Sequence, residues 1–321
     1  MIIKEETLVT GAAGFIGSHI VDELVNNNIS VKSLDNLSTG KIDNLKFSEN
    51  KKNHQFLKID LKNSEEVREV LKNIKIVFHM AADPEVRTGF EDPGSSYREN
   101  VRNTFLLLEE IRKSDVEQII FASSSAVYGD AKILPTPENY GPLLPISAYG
   151  ASKLACEAYV SSYCSNYGIK GSIIRPANVI GARGRHGVTW DFVNKLKKDT
   201  KKLEVLGDGN QTKSYIHISD AVKGIFKSIE SKEEIGIFNL GSEDRVKVRK
   251  IAEIVCNNMN LQDTEIVTTG GTDGGRGWKG DIKEAHLDIN KLKNLGWQPK
   301  LSSTDAVDLA SREIIKDPML Y

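Results

Sequence analysis

The sequence is poor in cysteine, and the three it has, Cys156, Cys164 and Cys256, never fall in a C-x-x-C pair. An odd, unpatterned set excludes a disulfide scaffold and points to a reducing compartment. Its six histidines are scattered, none at ligand spacing from a cysteine, so no metal centre is expected. It also lacks charge of one sign. Lysine plus arginine is 43 against 44 aspartate plus glutamate, a net charge of −1, which gives no field for nucleic acid or an anionic membrane. No apolar run approaches the ~20 residues of a membrane span. The opening MIIKEETLVTG carries acidic residues where a secretory signal would be apolar, so a soluble cytoplasmic protein is expected.

What is present is a chain of 321 residues, enough for one large domain or two ordinary ones. Short β-rich runs (TLVTG, SVKSLD, QFLKID, KIVFHMAA, QIIFASSS, GSIIRPAN) alternate with amphipathic stretches such as FIGSHIVDELVNN, SEEVREVLKN and NTFLLLEEIRK. Repeated βα alternation predicts a parallel sheet with helices on both faces, and its near-continuous apolar strands fit burial from both sides. Beyond about Arg175 the pattern gives way to Gly- and Arg-rich loops, IGARGRHGVTW, LGDGNQTKSY and TTGGTDGGRGWKGD, mixed with helices. GIFNLG, Gly236 to Gly241, reads as one more strand returning to the first sheet.

Gly11, Gly14 and Gly17 follow the first strand and run into a helix as G-x-x-G-x-x-G. Glycines there permit a tight turn and close approach of backbone to a pyrophosphate, with the helix N-terminus as donor. Asp35 closes the second strand, 18 residues after Gly17, where an acid holds an adenosine ribose diol. Asn36 follows it, with no arginine for a 2′-phosphate, which favours NAD over NADP. Asp60, after FLKI, is a candidate for the adenine edge or an ordinary turn residue. The expected fold is therefore α/β, a Rossmann-type doubly wound parallel sheet with a smaller, partly interleaved C-terminal substrate domain. Residues 1–178 plus the strand near 236–241 form the first domain and 179–321 the second.

Tyr149 and Lys153 in SAYGASK lie four apart at a predicted helix start and so share a face. Alone, such a pair is more often a surface feature. A nearby ammonium, however, favours the phenolate of a tyrosine whose free pKa is about 10. Ser123, Ser124 and Ser125 end the predicted fifth strand, and strand C-termini of an open parallel sheet face its ligand crevice. The combination of dinucleotide turn, serine cluster and Tyr-x-x-x-Lys is specific.

With TGAAGFIGSH, LDNLSTG, FHMAADPEVR, FASSSAVYG, YGASKLACE, RPANVIGARGRHGV, LGDGNQTKSYIHISD and GRGWKGD, the chain resembles the extended short-chain dehydrogenase/reductase superfamily. Within it the chain is similar to the NAD-dependent UDP-glucose (UDP-galactose) 4-epimerases of the archaeal-type branch. The resemblance implies Tyr149 as acid/base at the sugar 4-hydroxyl. Lys153 would hold the nicotinamide ribose and lower the tyrosine pKa, and Ser124 or Ser125 would bind the same hydroxyl. It implies NAD contacts from Gly11, Gly14, Phe15, Ile16, Gly17, Asp35, Asn36, Ser38, Thr39, Gly40, Asp60, Leu61, Ala81, Ala82, Asn100, Ser123, Tyr149 and Lys153. It implies UDP-sugar contacts from Asn178, Val188, Lys213, Arg276 and Asp281.

Lys213 stands where many relatives have arginine, and GRGWKGD is one residue longer than the common R-x-G-D. Ala285 falls where relatives gate room around the sugar 2-substituent; its small size predicts that UDP-N-acetylglucosamine is also accepted. The resemblance further implies a homodimer through the helix after ENVRNT and the helix carrying Tyr149. A 4,6-dehydratase would need Asp-Glu where Ser125 and Ala126 stand. A UDP-glucuronate 4-epimerase or decarboxylase stays open through Arg87 or Arg185, and a non-catalytic NAD sensor is disfavoured by the retained Tyr/Lys pair.

Overall fold

The strand Thr7–Thr10 (β1), TLVT, is buried at all four positions, as a strand covered on both faces must be. This computed structural model describes residues 3–85 and 92–317. Val31–Asp35 (β2), His54–Lys58 (β3), Ile76–His79 (β4), Gln118–Ala122 (β5) and Lys170–Pro176 (β6) complete the predicted set. The strand Ile235–Leu240 joins them, giving a seven-stranded sheet in the order Ile235–Leu240, β6, β5, β4, β1, β2, β3. The pairs β1–β2, β1–β4, β2–β3, β4–β5 and β5–β6 are parallel. β4 is as fully buried as β1, while β3 at the edge exposes Gln55 and Lys58. Strand order reverses between β1 and β4, the switch point outside which doubly wound sheets bind ligands.

The helices follow from spacing. In Phe15–Asn26 (α1), the buried residues Gly17, Ile20, Val21, Leu24 and Val25 fall at i, i+3, i+4, i+7 and i+8. Ser64–Val70 (α2) is capped by Asn63, whose side chain accepts from the Glu66 amide. The short Pro93–Ser96 helix (α3) leads through a π-helical stretch, Tyr97–Arg102, into Asn103–Ile111 (α4). Ala148–Tyr167 (α5) is different in kind. Its buried face carries Ser152, Lys153 and Glu157 besides Cys156, Val160 and Cys164, so polar groups stand where packing alone would place apolar ones. Leu8, Val77, Leu107, Ile119, Phe121, Val160 and Ile173 belong to one core.

The chain forms two compact units. The first holds Met1–Val127, Ala148–Arg175 and Ile225–Phe238; the second holds Tyr128–Ser147, Pro176–Gly224 and Asn239–Tyr321. Beside a division at residue 178 with a return near 236–241, these units add the excursion Tyr128–Ser147 and place the return at Ile225–Phe238. Gly129 bridges to Leu144 at the two ends of this segment, Thr136 bridges to Leu287, and the Asn239 side-chain amide donates to the Thr136 carbonyl at 2.9 Å. In the second unit the helices Val188–Lys198, Val248–Asn258 and Ser303–Ile315 share a core that includes Phe192, Leu196, Ile251, Val255, Val307 and Ile314. Thr212–Lys213 pairs with Val246–Lys247 on one side and Glu284–Ala285 on the other.

Candidate active site

The glycine turn is built by close backbone approach. Gly11 follows β1 with φ +65°, and a Cβ there would lie 2.6 Å from the Ala81 nitrogen. A Cβ on Gly17 would lie 2.1 Å from the Gly11 carbonyl oxygen, so both positions require glycine. No side chain caps α1 at Gly14. Phe15 and Ile16 thus begin a helix whose positive end and first amides suit an anion.

At the end of β2, Asp35 accepts from the Ala13 amide at 2.9 Å and the Leu37 amide at 2.7 Å. Burial lifts its carboxyl above the usual range, against the pull of those two amides. Gly40 lies so close that a Cβ would meet both Asp35 oxygens at 2.9 Å. Ser38 and Thr39 are exposed in the same turn, and Asn36 donates to Asp60 at 2.8 Å. Burial opposes ionisation of Asp60, but Asn36, the Lys62 amide and the Lys62 charge outweigh it and lower its pKa. Leu61 beside it is buried. Asn44, which the sequence did not single out, is buried and donates to the Ala13 carbonyl at 2.8 Å, bracing this turn. Ala81 follows β4, its amide 3.4 Å from the Thr10 hydroxyl, and Ala82 comes next.

The chemistry-bearing group forms where β5 meets α5. Lys153 is 3% exposed and donates to the Ala122 carbonyl at 2.7 Å. Its Nζ lies 5.0 Å from the Phe121 ring centre and 5.9 Å from that of Tyr149. The Ser124 hydroxyl, just after β5, accepts from the Ala126 amide at 3.1 Å. Burial pushes the Tyr149 phenol up to about 12, with Ser124 the group that draws it down. Burial likewise pushes Lys153 down to about 8, against Cys156 and Glu157. Burial is the largest influence on the Tyr149 phenol, and the groups that move it besides are Ser124, Asp83 and Cys156.

Ser125 begins the short turn Ser125–Tyr128. The Ser123 hydroxyl is committed to the Glu157 carboxylate. Arg175 grips that carboxylate twice, Nε at 2.9 Å and Nη2 at 2.6 Å, and both residues are buried. Asn100 has its amide fully used as well. It accepts from the Asp83 amide at 2.7 Å and donates to the Asp83 carbonyl at 3.2 Å and the Ser152 hydroxyl at 2.9 Å. Asn100 therefore braces α5 to the segment after β4. Arg87 lies outside the described residues.

In the second unit Asn178 donates its side-chain amide to the Ser214 carbonyl at 3.0 Å. Val188 begins its helix after Gly187, and Thr189 beside it has a buried hydroxyl with no partner among the described residues. Lys213 reaches Asp281 at 2.6 Å and lies 5.6 Å from the Trp278 ring centre. Arg276 donates to both Asp130 oxygens, at 3.0 and 2.9 Å, and to the Asp281 carbonyl. Asp130 had no mark in the sequence beyond following Gly129. Ala285 pairs with Lys213 across two short strands. Among the described residues there is no group of three or more His, Cys, Asp or Glu side chains able to hold a metal ion, and no helix long and apolar enough to cross a membrane.

A glycine turn that excludes any Cβ, an uncapped helix start and a buried, amide-held acid closing β2 fit an adenine dinucleotide. Together with a tyrosine and lysine on the helix after β5, they define a dinucleotide-dependent enzyme of the short-chain dehydrogenase/reductase class. Residues 7–241 match the model of the NAD dependent epimerase/dehydratase family. A relative from Methanocaldococcus jannaschii, assigned provisionally by its name to the UDP-glucose 4-epimerases, is 36% identical over 94% of this chain and 95% of its own. A UDP-glucose 4-epimerase of Mycolicibacterium smegmatis is 31% identical over 94% and 96%. The crystal structure of a UDP-galactose 4-epimerase superposes with a TM-score of 0.86 at 38% identity, over 98% of this chain and 99% of that one. The chain belongs to the NAD dependent epimerase/dehydratase family. It is an enzyme of the isomerase class, and its cofactor is NAD.

Proposed function

We propose that the protein interconverts UDP-glucose and UDP-galactose by inverting C4 through a 4-keto sugar. The observation that carries this reading is buried Lys153, held by the Ala122 carbonyl with its Nζ 5.9 Å from the Tyr149 ring centre, on the fold of a family whose similar members are named 4-epimerases. NAD, when bound, supplies the acceptor and later the donor of a hydride, and a positive charge in its oxidised form. Gly11, Gly14 and Gly17 would admit its pyrophosphate, and Asp35 its adenosine ribose. Lys153, held at 2.7 Å by the Ala122 carbonyl, would present its remaining hydrogens to the nicotinamide ribose.

Tyr149 takes the proton from the sugar 4-hydroxyl as the C4–H bond breaks, and returns it when C4 regains hydrogen on the opposite face. A phenol near pKa 12 is a weak base at pH 7, so proton transfer needs the adjoining cations, and Ser124 is the neighbour that draws that pKa down. Asn178, Val188, Lys213, Arg276 and Asp281 would hold the UDP portion. Ala285 would leave room for an acetamido group at C2, extending the range to UDP-N-acetylglucosamine.

Two further features support finer readings. Phe105 on α4 and Tyr159 on α5 are exposed with ring centres 5.6 Å apart, and Tyr163 lies 6.3 Å from Phe105. This aromatic face would be covered by the same face of a second copy, which light scattering would report as a dimer. Cys156, Cys164 and Cys256 are buried free thiols, which supports a cytoplasmic setting.

The deciding experiment is proton NMR of the purified protein with UDP-glucose and no added NAD. The galacto-configured anomeric signal should grow in. Tyr149→Phe should slow it by about 10²-fold or more, the scale of a lost general base. Near wild-type turnover in Tyr149→Phe would overturn the mechanism.

A further inference from the structure

Arg276 and three other charges, Lys213, Asp281 and Asp130, meet within the second unit, and the two carboxylates are held differently. Asp281 is 3% exposed; its Oδ1 accepts from Lys213, its Oδ2 from the Gly277 amide at 3.0 Å, and its carbonyl from Arg276. It cannot leave without stranding those donors. Asp130 is held differently. Its side chain is 48% exposed, and its hydrogen bonds among the described residues run only to the Arg276 guanidinium, in the two-pronged geometry a phosphate also adopts. The backbone under it is anchored. Gly129 has φ +60° and sits so near Leu144 that a Cβ would lie 2.0 Å from that carbonyl oxygen. The aspartate is thus carried on a fixed turn, and a side-chain rotation alone would release the arginine.

We infer that Asp130 is a specificity-determining residue: an internal anion that occupies Arg276 until the diphosphate of the nucleotide displaces it. The inference rests on the reading that Arg276 receives that diphosphate. Two cations, Lys213 and Arg276, face two carboxylates, Asp130 and Asp281, so the cluster is formally neutral. Exchanging Asp130 for a diphosphate is an exchange of anions. A ligand must outcompete a bidentate carboxylate, which favours a diphosphate over a monophosphate or an uncharged nucleoside. An exposed ion pair is weak enough to be exchanged in this way, equivalent to at most about five-fold in a binding constant.

The test is calorimetric titration of the NAD-loaded enzyme with UDP, at two salt concentrations, for wild type, Asp130→Asn, Arg276→Ala and the double variant. Asp130→Asn should bind UDP about two- to five-fold more tightly. Its affinity should also fall more steeply with salt, because the cluster then carries a net positive charge. UMP should gain less than UDP. Arg276→Ala should weaken UDP binding, and in that background Asp130→Asn should change nothing. If Asp130→Asn binds UDP equally or more weakly while Arg276→Ala still weakens it, the displacement idea is wrong and the diphosphate reading stands. If Arg276→Ala leaves UDP affinity unchanged, the diphosphate reading fails and takes the inference with it.

Discussion

Glu157→Ala is the substitution whose cost the structure specifies best. Glu157 lies one helical turn beyond Lys153 and is buried against Arg175, which is itself 2% exposed. Three donors converge on its carboxylate: Arg175 Nε and Nη2 at 2.9 and 2.6 Å, and the Ser123 hydroxyl. Deleting the carboxylate leaves the arginine charge in a low-dielectric setting without its counter-ion and the serine without its acceptor. Losing one partner of a buried pair costs about 3–5 kcal/mol, far above the ~1 kcal/mol of an exposed pair. All three tryptophans, Trp190, Trp278 and Trp297, belong to the second unit, whereas Glu157 and Arg175 belong to the first. Urea unfolding followed by both tryptophan fluorescence and far-ultraviolet circular dichroism therefore separates a loss confined to the first unit from a global one. The dichroism midpoint should fall by the larger amount if the units unfold separately. A total loss below about 1 kcal/mol would refute the claim that this pair fastens α5 to β5 and β6.

Lys153 makes stability depend on alkaline pH. Its folded pKa, about 8, lies below the ordinary 10.5, so the unfolded chain holds the extra proton between those values. Stability contributed by this group should rise as pH climbs from about 8 to about 10.5, by up to about 3 kcal/mol, and Lys153→Met should lack that rise when melting is followed across the window. Ala285→Tyr should suppress turnover of UDP-N-acetylglucosamine while sparing UDP-glucose in the same NMR assay. Equal loss of both would remove Ala285 from any role in sugar choice.

The architecture was legible because burial leaves a plain mark. Strands such as TLVT and IVFH are apolar throughout when covered on both faces, and α1 repeats its buried residues at helical spacing. The cofactor turn was legible for a steric reason, since Gly11 and Gly17 stand where no other residue fits. Long-range polar pairing left little trace. Asp130 and Arg276 are 146 positions apart, and nothing in the local composition joins them. Glu157 could have been suspected from its place four residues after Lys153, but its partner Arg175 lies on a strand where an arginine is easily read as solvent-facing. The Tyr149 phenol shows another limit. Spacing announced that a lysine would be near, but not that burial would be the largest influence on the phenol.

The interleaving of the two units has a consequence for how this protein can be made and remade. The chain passes between them five times, and the Tyr128–Ser147 excursion falls between Ser124 and Tyr149. Neither unit corresponds to one uninterrupted stretch of gene. A ribosome cannot release a finished first unit before Ile225–Phe238 has emerged, long after most of the sheet has been synthesised. Gene fusion cannot exchange one unit for another as a module either. New specificities on this scaffold must come from substitutions and loop changes made in place.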